Sequence, residues 1–376
     1  MWSMSGRSRL DDVLTFGVEE ELLLVDRDSG VTVPCAAEVL AQAAPALGQR
    51  VGEEFYATQV EIRTVPAQRA CALRADLAQA RRLCAAAAAP LGAAPAGSGC
   101  AVLTSPTPRL TGSDRYRAVA RRLAPFVRAT DSELSGCHVH LGTLERGEAL
   151  ALSARLRSWL PILQALAVNS PFSAGRERGW ASWRAAQYAR WPTVGPAPVV
   201  DEPGYETLAR RMVAAGEVRD RKMIYWYARP SERWPTLEVR LCDVNADLDL
   251  DVLVAVLLRG LGTVLLAEFR AGREEPDHTE DAVLLDVHDQ AGRHGLRGRG
   301  LDPATGLRAP FDNCLSSLVE RARPGLRAAG DEHLADRLVA QVRRVGSGAD
   351  RQRAVFARHG DLRRVAAELA AVTADC

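Results

Sequence analysis

Along this chain, hydrophobic and polar positions alternate in four short stretches, and the polar positions draw on the same few residue types. From Leu14 to Val25, Glu19 and Glu21 fall on one side of an extended backbone and Val18, Leu22 and Leu24 on the other, because successive strand side chains point to opposite faces. From Phe55 to Thr64, Gln59, Glu61 and Arg63 oppose Val60 and Ile62. From Gly136 to Gly142, His138 and His140 oppose Val139 and Leu141. From Thr236 to Asp243, Glu238 and Arg240 oppose Leu237, Val239 and Leu241. A period of two with one apolar side predicts an antiparallel sheet, one face on a core and one open. Joined in one sheet, the four segments would gather Glu, His and Arg on the open face. Glu20 breaks the pattern: it falls on the apolar side of the first strand, and the sequence offers no reason for it.

Between these segments the period lengthens to that of a helix. Ala67 to Ala89 repeats Leu73, Leu77, Ala80 and Cys84 and ends at Pro90-Leu91-Gly92. Further helices are predicted over Arg115 to Arg128, Glu148 to Val168 and Asp247 to Arg270, with four more after Asp277. Ala93 to Thr111 and Pro192 to Gly204 read as loops. The most apolar stretch, Leu248 to Phe269, is interrupted by Asp249, Asp251, Arg259 and Glu268. Its charge-free runs are too short for a membrane span, so a buried helix is expected. No linker or repeat divides the chain. The expectation is one α+β domain over residues 1–376, ordered from about 12 to 372.

Composition narrows the function. A formal net charge of +1 gives no reason to expect nucleic acid or an anionic membrane as a partner. Met1 to Leu10 is polar, without the apolar core of a secretory signal, so a cytoplasmic location is expected. Of the eight cysteines none forms C-x-x-C, which argues for reduced thiols rather than disulfides or a zinc site. Lys222 is the only lysine, so a mechanism that needs one has a single candidate.

The candidate chemistry lies on the open strand face. Glu19 and Glu21 repel each other unless a cation lies between them, and oxygen ligands suit Mg²⁺ or Mn²⁺; a solvated acidic strand is the alternative. His138 and His140 project together, as metal ligands or as hydrogen-bonded sheet residues. Glu238 with Arg229 and Arg240 reads as a cation ligand beside two oxyanion-binding guanidiniums, or as an exposed ion-pair ladder. Arg184 is a candidate substrate clamp or a surface arginine. A zinc hydrolase lacks H-E-x-x-H, a P-loop ATPase lacks G-x-x-x-x-G-K-[ST], and a dinucleotide fold lacks G-x-G-x-x-G.

Four motifs stand in order: Phe16-Gly17-Val18-Glu19-Glu20-Glu21, Thr58-Gln59-Val60-Glu61, Gly-Cys-His-Val-His-Leu-Gly at 136–142, and Arg229-Pro230-Ser231 followed by Thr236-Leu237-Glu238-Val239-Arg240. Together they resemble the carboxylate–amine ligases of the glutamate–cysteine ligase type 2 family, over about Leu14 to Ala370. The resemblance implies a glutamine synthetase-like catalytic fold, a curved antiparallel sheet with helices on its outer face. It implies Glu19, Glu21, Glu61, His138 and Glu238 as metal ligands. It places His140, Arg184 and Arg240 on the substrate, His138 and Arg229 toward ATP, and Arg229 and Arg240 in catalysis. The cofactors implied are ATP and Mg²⁺ or Mn²⁺. The partners implied are a carboxylate, glutamate by family habit, and an amine, cysteine in the leading reading, giving γ-glutamylcysteine; a homodimer is compatible. The implied reaction makes an acyl phosphate and then an amide, as in glutathione-type biosynthesis. The same mechanism with another amine, a metal-dependent hydrolase and a non-catalytic binding protein are the competing readings.

Overall fold

In the computed structural model, residues 12–105, 108–273 and 279–376 are described. Eleven strands occur in chain order: β1 Thr15–Asp26, β2 Val51–Glu53, β3 Gln59–Arg63, β4 Ala93–Ala96, β5 Gly136–Gly142, β6 Phe172–Ser173, β7 Arg176–Glu177, β8 Ala228–Pro230, β9 Thr236–Asp243, β10 Arg299–Asp302 and β11 Leu307–Pro310. The helices are α1 Ala36–Leu47, α2 Ala70–Ala88, α3 Asp114–Arg122, α4 Ala124–Ala129, α5 Arg146–Leu156, α6 Leu160–Leu166, α7 Trp183–Tyr188, α8 Glu202–Ala214, α9 Leu248–Arg270, α10 Asp281–His294, α11 Phe311–Ala329, α12 Glu332–Val345, α13 Gly348–His359 and α14 Leu362–Ala374.

Seven strands make one antiparallel sheet in the order β2-β3-β1-β5-β9-β8, with β4 also paired to β1. The fold is α+β, as the alternation predicts. Phe16, Val18, Leu22, Leu24, Val60, Ile62, Val139, Leu141, Leu237 and Val239 lie buried in the main core. The helix at the centre of that core is α9, capped by the Asp247 side chain on the Asp249 N–H. It is long and apolar enough to cross a membrane by length and composition, yet its apolar window is wholly buried inside the protein. Its charged residues are answered: Arg259 donates to the Gln68 carbonyl at 2.6 Å, pairs with Asp331 and lies 3.9 Å over the Phe16 ring.

The structure also accounts for Glu20. It is fully buried and joined to Arg81, which donates through Nε at 2.7 Å and Nη2 at 2.8 Å. Arg81 also donates to the carbonyls of Ala246 (2.6 Å) and Asn245 (2.8 Å) and to Asp251 (3.2 Å). Burial, then the charge of Glu20, raises the Asp251 carboxyl well above its usual range.

Several elements differ from the sequence reading. The helix expected over Glu148 to Val168 is two, α5 and α6, with Pro161 in the first turn of the second. The helix expected over Arg115 to Arg128 is likewise split, with Pro125 opening α4; proline starts helices and interrupts them. The loop expected over Ala93 to Thr111 begins with β4, an Ala-Pro segment recruited by pairing with β1 rather than by its own pattern. The strand expected from Phe55 starts at Gln59, since Ala57 and Thr58 bond to Arg109, Ala36 and Leu24 outside the sheet ladder. The loop expected to Gly204 yields to α8 at Glu202. Helix α1 escaped notice, and after Asp277 there are five described helices, not four.

Helices α9 and α11 cross at Gly260 and Gly325. A Cβ on Gly325 would lie 2.0 Å from the Gly260 carbonyl oxygen. Alanine would gain about 1 kcal/mol of helix propensity at that position, but such an overlap with backbone forces the helices apart. Overpacking costs about 1–3 kcal/mol. Gly325→Ala is therefore expected to lower the melting temperature; a thermal melt showing equal or higher stability would contradict the crossing.

Candidate active site

Cross-strand register builds the site. In antiparallel pairs, directly opposed Cβ atoms lie about 4.5–5.5 Å apart. Glu21 opposes Glu61, and Glu19 lies between Arg63 on β3 and His138 on β5. His140 opposes Glu238, which opposes Arg229 on β8. The β5–β9 pairing shifts between Cys137 and Val139, where Arg240 and Leu241 face the single residue His138. Bulges of this kind re-aim side chains beside sites.

The side chains converge in one open cavity of about 410 Å³, whose lining includes Glu19, Glu21, Glu61, His138, His140, Arg184, Arg229, Glu238 and Arg240. All nine residues singled out from the sequence thus border one space. His138 Nδ1 lies 3.8 Å from Glu19 and 4.0 Å from Glu238, and its Nε2 lies 3.6 Å from Glu21. His140 Nε2 lies 3.6 Å from Glu19, while its Nδ1 is 2.8 Å from Thr236 Oγ1. Ligand atoms of Glu19, Glu61 and His138 fall within 4.8 Å of one another, as do those of Glu19, His140 and Glu238. His138 Nδ1 and His140 Nε2 are buried without a hydrogen-bond partner. Buried polar atoms are normally satisfied, so two orphaned imidazole nitrogens among carboxylates fit a divalent cation. With oxygen donors in the majority, the set suits a hard ion such as Mg²⁺ or Mn²⁺.

The electrostatics favour the charge states this needs at His138, Glu19 and Glu238, whereas the neighbouring Glu19 and Glu238 carboxylates outweigh burial and raise the His140 imidazole. Burial pushes the His138 imidazole down, helped by the positive charge of Arg240, which leaves a neutral ring with a lone pair. Burial alone would raise the Glu19 carboxyl, but the His138 and His140 imidazoles beside it hold it well below its usual range. Burial would also raise Glu238, and the charges of Arg240 and Arg229 outweigh it. Glu21 accepts a 2.6 Å hydrogen bond from the Gly136 N–H. A Cβ on Gly136 would lie 2.4 Å from an Arg184 nitrogen and 3.1 Å from His138 Nε2, so the close approach requires glycine there.

The arginines are committed to defined places. Arg229 donates to Glu238 through Nε at 3.1 Å and to the carbonyls of Lys222 (2.8 Å) and Ile224 (2.9 Å). Arg240 pairs with the other oxygen of Glu238. Arg63 pairs with Glu61 and stands 3.4 Å from Glu19. Arg184 is buried, not a surface arginine, and donates to the carbonyls of Leu241 (3.1 Å) and Arg240 (3.2 Å). Cys137 is buried with the core cluster on the opposite face, and burial drives its thiol well above the usual range.

Sequence reasoning missed two contributors. Glu54 borders the cavity, and burial, then the charge of Glu21, raises its carboxyl to about 8. It sits in the turn after β2, where alternation gives no signal. Thr236 fixes one side of the His140 ring; its place two residues before Glu238 on the same strand face was the available clue.

Comparison with known proteins agrees with this geometry. The family model described as glutamate–cysteine ligase family 2 matches residues 15–368. The chain belongs to this family. Among its relatives in glutamate–cysteine ligase family 2, a Saccharopolyspora erythraea protein provisionally named glutamate–cysteine ligase 2-1 is 41% identical over 351 residues, covering 93% of this chain and 92% of the relative. A Salinispora tropica protein provisionally named glutamate–cysteine ligase 2 is 37% identical over 364 residues, covering 96% of each. As a family member the chain is a ligase that forms carbon–nitrogen bonds. Two crystal structures share its fold. The glutamate–cysteine ligase of Francisella tularensis, solved with AMP, has a TM-score of 0.72 at 9% identity, covering 96% of this chain and 88% of that one. A bifunctional glutathione synthetase from Pasteurella multocida has a TM-score of 0.70 at 15% identity; it covers 97% of this chain, which spans about half (53%) of that longer protein.

Proposed function

We propose that this chain is an ATP-dependent ligase that activates a carboxylate, the side chain of glutamate, as an acyl phosphate and joins it to an amine. The observation that carries the reading is the meeting of Glu19, Glu61, Glu238, His138 and His140 in one cavity, with two imidazole nitrogens unpartnered. Family membership and the AMP bound to the Francisella ligase support a nucleotide substrate.

Glu19, Glu61 and His138 would hold one divalent cation, with Glu21 beside His138; Glu19, Glu238 and His140 form a second donor group. A cation there would neutralise the triphosphate and the charge spread over the transferring phosphoryl group. In the first step a carboxylate oxygen attacks the γ-phosphorus and the bond to ADP breaks. Arg229 and Arg240, fixed through Glu238 before substrate arrives, face that charge at no reorganisation cost. In the second step the amine nitrogen attacks the acyl carbon, the carbon–oxygen bond breaks, phosphate leaves and the nitrogen gives up a proton. Arg184 holds the end of β9, and with it Arg240, at the cavity wall. Neither step needs a protein nucleophile, and Cys137 lies in the core.

The test is ADP release from Mg-ATP with glutamate, other carboxylates and a panel of amines. The expected result is release only when both an acid and an amine are present. Turnover without ATP would point to a hydrolase, and no ADP release from any acid–amine pair would reject the ligase.

A further inference from the structure

One wall of the active-site cavity is aromatic, in a chain that is only 5% aromatic overall. Tyr116 and Phe55 stand with ring centroids 5.8 Å apart at 86°, Phe55 and Trp191 at 6.2 Å and 86°, and Trp191 and Tyr225 at 6.4 Å and 79°. Tyr188 continues the row, 6.2 Å from Tyr225. Phe55, Trp191 and Tyr225 are backed by a separate apolar cluster that includes Val119, Met223 and Ile224, so the rings are held in place. Near-perpendicular rings make a cornered cage, not the parallel slot that sandwiches a flat nucleobase. Such cages attract alkylammonium groups and apolar bodies.

Two polar groups along this wall are already engaged. Tyr116 donates to Glu54 at 3.3 Å, and Trp191 Nε1 donates to Thr130 at 3.2 Å. Three neighbouring guanidiniums are likewise occupied: Arg115 pairs with Asp220 at 3.3 Å, Arg184 is bound to the carbonyls of Arg240 and Leu241, and Arg240 pairs with Glu238. Guanidiniums already lie over the rings of Tyr116, Tyr188 and Tyr225, so the faces left to a ligand are those of Phe55 and Trp191. We propose that the amine substrate is a primary amine with an aromatic or bulky apolar body, seated against Phe55 and Trp191. This rests on the ligase reading and specifies its second substrate.

The experiment is initial-rate ADP release by the full chain with Mg-ATP and glutamate. Phenethylamine, benzylamine and isoamylamine are compared with cysteine, glycine and methylamine. Apolar pockets discriminate by about 10–200-fold per missing group, so the first three are expected to exceed cysteine in kcat/KM by about tenfold or more. Trp191→Ala is expected to raise KM for the preferred amine about tenfold with KM for ATP unchanged, and Trp191→Phe to restore most of it. Phe55→Leu provides the same readout if Trp191→Ala does not fold. Preference for cysteine or methylamine, or a Trp191→Ala effect on KM for ATP instead, overturns this inference while leaving the ligase intact. Absence of ADP release with every acid–amine pair removes the ligase reading, and this inference with it.

Discussion

Glu238→Gln is expected to cut ADP release about a thousandfold, near 4 kcal/mol of transition-state stabilisation, while the protein still folds. Glu238 takes part in both halves of the site. One oxygen lies 4.0 Å from His138 and the carboxylate joins the Glu19–His140 donor group; both oxygens also orient Arg229 and Arg240. Gln keeps the volume and one acceptor but removes the charge that holds two guanidiniums together and would hold a cation. The side chain stands on the cavity face of β9, apart from the apolar residues Leu237 and Val239 that fix the strand. Circular dichroism and a thermal melt should therefore match the parent. Normal turnover in this variant would contradict the assignment of Glu238, and unfolding would show that its role is structural.

Arg81→Met is expected to destabilise the fold by about 3–5 kcal/mol, the usual cost of breaking a buried ion pair by removing one partner. Total stabilities are about 5–15 kcal/mol, so this is a large share. The substitution strands the Glu20 carboxylate and two backbone carbonyls in a dry core. The double variant Glu20→Leu/Arg81→Met should recover much of the loss, because replacing a whole buried pair by apolar groups is often neutral. Denaturant unfolding of the parent, both single variants and the double variant measures the coupling directly. Additive losses, with no recovery in the double variant, would mean that the pair does not act as a unit.

What could be read from residues alone divides along physical lines. Side-chain alternation is local, so β5 and β9 are predicted to the residue and the open-face residues are predicted to share a side. Their convergence depends on register, which places Glu19 beside His138 and His140 beside Glu238; alternation is silent on that pairing. The single helices expected over Glu148 to Val168 and Arg115 to Arg128 fail where Pro161 and Pro125 allow the chain to restart at a new angle. β4 forms from Ala-Pro residues because β1 offers an edge, a tertiary effect with no local signature. Glu54 was missed for a similar reason: a turn brings it to the cavity, and turns carry no period. Glu20 was visible as an anomaly, but its partner Arg81 is 61 residues away on a helix whose other inward positions are apolar.

That anomaly constrains how the chain can assemble. Three glutamates in succession would let β1 slide by one residue against β5 with little change in local appearance. A slipped strand would turn Glu20 outward and press both flanking acids into the oily layer, where a lone guanidinium can answer only one. The stranded charge would cost several kcal/mol, and every apolar neighbour would change sides at the same time. The middle glutamate thus works as a keyed tooth, admitting only the alignment in which its neighbours face the cavity side of the sheet.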